Sequence, residues 1–194
     1  MVSAHKVLVL VADGSEEMET VISVDVLRRA GIHVHLAAAQ DSVEATCSRG
    51  VRVTADGLLA DVPGLAAGGY DAIVLPGGLA GAKTFAASPR VGALLREGEQ
   101  AGLLVAAISP IALKAAGVFR GARITSHPSV RSELDAVYAY SEDRVVTDGK
   151  LVTSRGPGTT FDFALAIVKA ICGAAKMHEI AEPMMLPPSL VQAL

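Results

Sequence analysis

The sequence predicts an α/β fold in which helices cover both faces of a mostly parallel, doubly wound sheet. Unbroken aliphatic runs such as residues 6–12 are typical of parallel strands that are buried on both faces. Segments with helical periodicity alternate with these runs, which favours a layered sheet. Aromatic residues are only 4% of the 194 residues, so Val, Leu, Ile and Ala must build the core. A chain of this length predicts one domain, residues 1–194.

The elements follow from periodicity and from the residues that end each segment. The predicted strands are 6–12, 33–39, 72–75 and 103–108, with short extended pieces at 43–55, a strand end at 124–128 and two short strands within 145–154. The predicted helices are 16–30, 89–101, 111–116 and 160–172, with a further short helix after residue 174. Ser15 is suited to cap the first helix, and Gly31 to end it.

Composition and charge exclude several classes of protein. The net charge of −3 comes without a basic stripe, which argues against a nucleic-acid partner. The apolar runs are too short for a membrane span, and the N-terminus lacks the features of a signal peptide. Cys47 and Cys172 have neither disulfide nor metal spacing, and no nucleotide-binding motif occurs. We therefore expect a cytoplasmic protein without metal, cofactor or membrane partner.

Candidate site residues lie where strands end, because ligands of doubly wound sheets bind beyond the carboxyl ends of the strands. Glu16, Glu17 and Glu19 follow the first strand, and carboxylates at a helix N-terminus are favourable without any further role. A glutamate that faces the sheet would be buried, however, and would keep its proton near neutral pH. Gly77 and Gly78 follow the third strand, either as a tight turn or as N–H donors to an oxyanion.

Residues 108–110 form the junction between the fourth strand and the next helix. Ser109 before Pro110 matches an ordinary helix start, with Ser as N-cap. The alternative is a nucleophile elbow, but the G-x-S-x-G pattern is absent and a serine needs a neighbouring base. The helix-cap interpretation is therefore favoured for Ser109. A functional role for His127 is credible only if the elbow lies near it. Cys47 is interpreted as a surface thiol and Cys172 as a small core residue.

Several of these segments together resemble the DJ-one/PfpI superfamily, in the branch of the Parkinson-disease-associated deglycase. The most specific are GSEEMET at 14–20, LPGG at 75–78 and SRGPGT at 154–159. The others are 26–31, 47–49, 125–128 and 140–142. They occur in the right order over nearly the whole chain.

The resemblance implies a flavodoxin-like three-layer sandwich, a homodimer and no cofactor. It implies a reactive cysteine at the elbow, helped by Glu19, with Gly77 and Gly78 at the oxyanion, Arg49 at the substrate and His127 nearby. The implied substrate is a small reactive aldehyde or a glycated adduct. The implied functions are conversion of methylglyoxal to lactate, protein deglycation, oxidative-stress sensing and chaperone activity.

The elbow departs from this pattern. The family has Ala-Ile-Cys-Ala-small-Pro, whereas residues 107–110 read Ala-Ile-Ser-Pro, two residues shorter and without the cysteine. Three explanations compete. The chain is a natural or engineered pseudoenzyme, Ser109 replaces the nucleophile, or the sequence lacks a cysteine that is present in a modified form. We favour the last, because losing two residues would rotate Pro110 and Ile111 by about 200° and misplace an apolar helix face.

The leading functional hypothesis is a cofactor-independent glyoxalase or deglycase with an oxidation-sensitive elbow. The alternative is a non-enzymatic oxidative-stress sensor or redox-dependent chaperone of the same fold. A third interpretation, a cysteine peptidase or amidase-like hydrolase, would require His127 to lie within hydrogen-bond reach of the nucleophile.

Overall fold

The computed structural model describes residues 5–192. Its strands are β1 (Lys6–Val11), β2 (His33–Ala38), β3 (Glu44–Thr46), β4 (Arg52–Thr54), β5 (Gly57–Leu58), β6 (Ala72–Leu75), β7 (Leu104–Ala107), β8 (Arg123–Ile124), β9 (Ala139–Tyr140), β10 (Val145–Asp148) and β11 (Leu151–Ser154). Seven strands form one sheet in the order β10-β11-β7-β6-β1-β2-β5. Only the β10–β11 pair in this sheet is antiparallel.

The helices lie on both faces of this sheet. They are α1 (Glu17–Arg29), α2 (Leu79–Ala87), α3 (Pro89–Gln100), α4 (Ile111–Ala116), α5 (Arg131–Leu134), α6 (Thr160–Cys172), α7 (Ala174–Ala181) and α8 (Pro188–Gln192). Alternate residues of β1 show the two cores: Val7 and Val9 pack with α1, α6 and α7, whereas Leu8 and Leu10 pack with α2, α3 and α4. The predicted flavodoxin-like three-layer sandwich with a mostly parallel sheet is confirmed.

The predicted elements are largely correct, with two differences near the site. Helix α2 was not predicted, because its sequence LAGAKTFAA has no clear apolar stripe. Ser15 was predicted as the N-cap of α1, but Glu16 is the cap, and its Oε2 accepts the Glu19 N–H at 2.8 Å. Ser15 Oγ instead accepts the Ala12 N–H at 3.0 Å, so it closes the turn after β1. Within residues 5–192, no helix is long and apolar enough to cross a membrane.

Candidate active site

Glu19 lies at the carboxyl edge of the sheet, in the first turn of α1. It is only 2% exposed, and its Oε2 accepts the Gly77 N–H at 2.5 Å. Burial raises the pKa of Glu19 to about 8, the charge of Glu16 adds to the rise, and the Gly77 hydrogen bond opposes it. The predicted buried glutamate is therefore Glu19, which keeps its proton at neutral pH.

The glycine pair after β6 is required by close packing. A Cβ on Gly77 would lie 2.7 Å from Glu19 Oε2, and one on Gly78 would lie 2.3 Å from the Gly14 carbonyl oxygen. Gly78 also has φ +86°, which favours glycine. The Gly77 N–H was assigned by resemblance to the oxyanion, but here it donates to Glu19.

Ser109 borders the same region, since a Cβ on Gly77 would lie 3.5 Å from Ser109 Cβ. The expectation that Ser109 caps α4 is wrong: Pro110 is the N-cap residue, and no side chain caps this helix. None of residues 108–110 has positive φ, so the strained turn of a nucleophile elbow is not formed. Among the described residues, none hydrogen bonds to the Ser109 hydroxyl. Ser109 is therefore near Glu19 but is not activated by a base.

Helix α4 stays well packed despite the short elbow. Ala112 and Leu113 are 2% and 0% exposed, and both belong to the core that includes α3. The expected misplacement of the apolar face of α4 does not occur. The packing argument for an omitted cysteine is therefore not supported.

His127 is exposed and lies near Gly156. Its Nδ1 accepts the Ser129 N–H at 3.2 Å and lies 2.8 Å from Ser129 Oγ. Because Nδ1 is the acceptor, the neutral ring carries its proton on Nε2. A Cβ on Gly156 would lie 3.8 Å from His127 Cδ2 and 4.0 Å from Glu19 Oε1. His127 and Glu19 therefore both border Gly156, a residue that sequence reasoning left without a role.

Arg49 lies in the turn between β3 and β4, which Glu17 holds. The Glu17 carboxylate accepts the Ser48 hydroxyl and the Arg49 N–H, both at 2.7 Å. Burial of Glu17 opposes ionisation, but these hydrogen bonds and other backbone N–H groups lower its pKa overall. The Arg49 guanidinium is exposed and donates to the Ser48 carbonyl at 3.2 Å, with no bond to Glu19. Sequence reasoning did not find this role of Glu17.

The two thiols, Cys47 and Cys172, are not part of the turn at residues 108–110. Cys47 is 4% exposed, so its interpretation as a surface thiol is wrong. Burial raises its pKa, and the carboxylates of Glu17, Glu16 and Asp13 raise it further. Cys172 is half-buried at the end of α6 and packs against the core.

A flavodoxin-like sheet with a buried acid at its carboxyl edge, beside a short turn between β7 and α4, defines the class of α/β proteins to which this chain belongs. The chain belongs to the DJ-1/PfpI family, whose model matches residues 5–170. The resemblance recognised from the sequence is therefore confirmed.

Known proteins of the family are similar over nearly the whole chain. Protein DJ-1alpha of Drosophila melanogaster is 46% identical over 94% of this chain and 84% of its own length. The Caenorhabditis elegans protein named glutathione-independent glyoxalase DJR-1.2 is 35% identical over 92% of this chain and 95% of its own. The crystal structure of Drosophila melanogaster DJ-1beta has a TM-score of 0.90 and 43% identity, covering 95% of this chain and 99% of that one.

Proposed function

We propose that the protein is a cytoplasmic, single-domain glyoxalase that converts methylglyoxal to lactate without a cofactor. The observation that carries the proposal is Glu19, a buried carboxyl with a pKa of about 8 that borders Gly156, as His127 also does. A general acid or base works best when its pKa lies near the operating pH. The similarity to a relative named as a glutathione-independent glyoxalase supports the same chemistry.

Because the elbow has no thiol, the proposed substrate form is the aldehyde hydrate, CH3–CO–CH(OH)2. The Glu19 carboxylate removes the proton from C1. The electron pair of that C–H bond forms a C1–C2 double bond while the C2 carbonyl pair moves onto its oxygen, which gives an enolate with two hydroxyls on C1. Glu19 then returns the proton to C2, and one C1 hydroxyl passes its proton to the C2 oxygen, so that C1 becomes the carboxylic acid. C1 is oxidised and C2 is reduced within one molecule, so no external oxidant or reductant is needed. The His127 Nε2–H is suited to donate to the oxygen that becomes negative.

Ser109 has a binding role in this mechanism. A serine hydroxyl attacks a carbonyl only when a base removes its proton, and no described residue hydrogen bonds to this hydroxyl. We therefore assign Ser109 to contact with the hydrate. Deglycation would use the same acid and base on a larger adduct.

The test is lactate formation from methylglyoxal, followed by proton NMR. Wild-type protein and Ser109→Ala should both produce lactate, whereas Glu19→Gln should not. Glu179→Gln, an exposed glutamate paired with Lys176 on α7, is the matched control. The rate should rise as the pH passes about 8, because the base is the ionised form of Glu19. In D2O the lactate should retain protium at C2, to the extent that Glu19 returns the proton it removed before that proton exchanges with water. A folded wild-type protein that forms no lactate at high concentration contradicts the proposal.

A second candidate is a non-enzymatic function of the chaperone type. It is favoured by the absence of a cysteine at residues 107–110, which removes both the family nucleophile and an oxidisable elbow. Suppression of client aggregation by wild type and Glu19→Gln alike, without lactate formation, would favour it. The peptidase interpretation is not favoured, because the His127 Nδ1 bonds to Ser129 and no bond joins the described His127 and Ser109.

We also propose that the protein is a homodimer that contacts its second copy through α1. Met18 and Val21, three residues apart on α1, are 50% and 49% exposed, and Val51 in the turn held by Glu17 is 49% exposed. Exposed large apolar side chains in one region are typical of an interface. Sedimentation equilibrium should give a dimer, and Met18→Glu with Val21→Glu should give a monomer. A monomeric wild-type protein at micromolar concentration contradicts this assignment.

A further inference from the structure

The space beside the Gly156 Cα is bordered by the Glu19 carboxyl and the His127 imidazole, the two groups that the proposed reaction uses. A Cβ built on Gly156 would have two neighbours within 4 Å, His127 Cδ2 at 3.8 Å and Glu19 Oε1 at 4.0 Å. Both separations are ordinary van der Waals contacts. A volume of about one methyl group at this position therefore adjoins both an imidazole edge and a carboxyl oxygen.

Neither backbone strain nor crowding explains glycine at this position. The φ of Gly156 is 163°, which is extended backbone that any residue adopts. Gly77 and Gly78 differ, because a Cβ on either would approach another atom to 2.7 Å or less. A side chain at position 156 would be tolerated by the fold but would fill the gap beside Glu19.

The walls of this gap are held in place. The Gly156 N–H donates to Thr159 Oγ1 at 3.1 Å, and its carbonyl accepts the Thr159 N–H at 2.9 Å. Glu19 is held by the Gly77 N–H and His127 by Ser129. The width of the gap therefore depends on glycine having no side chain at position 156, and not on a mobile loop.

We infer that Gly156 is a specificity-determining residue, and that the gap it leaves takes the reacting end of a short α-oxoaldehyde. This inference rests on the proposed function. In this arrangement the Glu19 carboxyl faces C1, which loses the proton, and the adjacent C2, which gains one, and the His127 ring faces an oxygen. A methyl group at position 156 would push the substrate out of this arrangement, and bulkier aldehydes would be affected most.

Gly156→Ala tests the assignment, with Gly158→Ala as the matched control in the same loop. Gly158 has no atom within 4 Å of an added Cβ, so its substitution should change neither stability nor KM. For Gly156→Ala, we expect the thermal midpoint to be unchanged and KM for methylglyoxal to rise at least about tenfold. The increase should grow from glyoxal to methylglyoxal to phenylglyoxal. An equal effect on all three aldehydes, or a large loss of thermal midpoint, overturns the inference.

A binding measurement separates this inference from the proposed function. Lactate is titrated into protein with a labelled histidine ring, and the His127 resonances are followed by NMR. Lactate should shift them in wild type and Gly158→Ala but not in Gly156→Ala. If wild type binds lactate in this way without turning over methylglyoxal, the proposed function fails and the subsite stands. If lactate leaves His127 unchanged in wild type, the subsite is refuted.

Discussion

Replacing Glu19 with Gln should make protein stability far less dependent on pH. Burial, with a contribution from Glu16, raises the pKa of Glu19 from 4.5 to about 8 against the Gly77 hydrogen bond. Between these values the folded protein binds a proton that the unfolded chain has released. The stability due to this group is therefore complete below pH 4.5 and is lost as the pH rises towards 8. At about 1.4 kcal/mol per pH unit, the loss amounts to about 5 kcal/mol.

Urea unfolding at pH 5, 7 and 9 measures this effect. Gln has the shape of a protonated Glu, and its oxygen can accept the Gly77 N–H. Glu19→Gln should match wild type near pH 4.5 and exceed its free energy of unfolding by about 5 kcal/mol at pH 9. Glu17→Gln is the control, because its effect on the free energy of unfolding should have the opposite pH dependence. The pKa of Glu17 is lowered, so its contribution to stability is lost as the pH falls. A stability difference between Glu19→Gln and wild type that stays constant from pH 5 to 9 would refute the reasoning.

Three further predictions concern stability and are measured by urea unfolding at pH 7. Thr125→Val should stabilise by about 1 kcal/mol, because the buried Thr125 Oγ1 has no hydrogen-bond partner among the described residues; a loss of stability would show that it has one. Phe163→Ala should cost about 3–5 kcal/mol through the cavity left by a side chain that is 0% exposed. Arg144→Ala should cost about 1–2 kcal/mol, since Asp162 loses the hydrogen bonds of an exposed guanidinium, and Asp162→Asn in the same chain should restore part of the loss.

The three glutamates after β1 show the limit of sequence reasoning. Their spacing predicted one buried acid among favourable helix-start carboxylates, and that much is correct. The structure distinguishes their roles: Glu16 caps α1, Glu17 holds the turn of Arg49, and Glu19 is protonated beneath Gly77. Two of the roles depend on partners 32 and 58 residues away, which no local pattern specifies.

Ser109 shows a second limit of sequence reasoning, in which a local pattern predicted a role that the structure does not give to the residue. The local pattern of Ser before Pro predicted a helix cap, yet Pro110 is the N-cap residue of α4 and Ser109 lies beside Gly77. The turn at residues 108–110 continues directly from β7. Because β7 pairs with β6 on one side and β11 on the other, the sheet sets the direction of the turn. Tertiary context therefore overrides the propensity of the residue.

The sequence by itself determined the layered α/β fold, the bounds of most strands and helices, and membership of the family. It did so because strand and helix periodicity, glycine turns and family motifs are local in the chain. The resemblance had singled out Glu19, but only the tertiary structure showed why it keeps its proton, where the Gly77 N–H points, and that Gly156 borders both His127 and Glu19. These properties arise from burial and from contacts between the carboxyl ends of different strands, which exist only after the sheet has assembled.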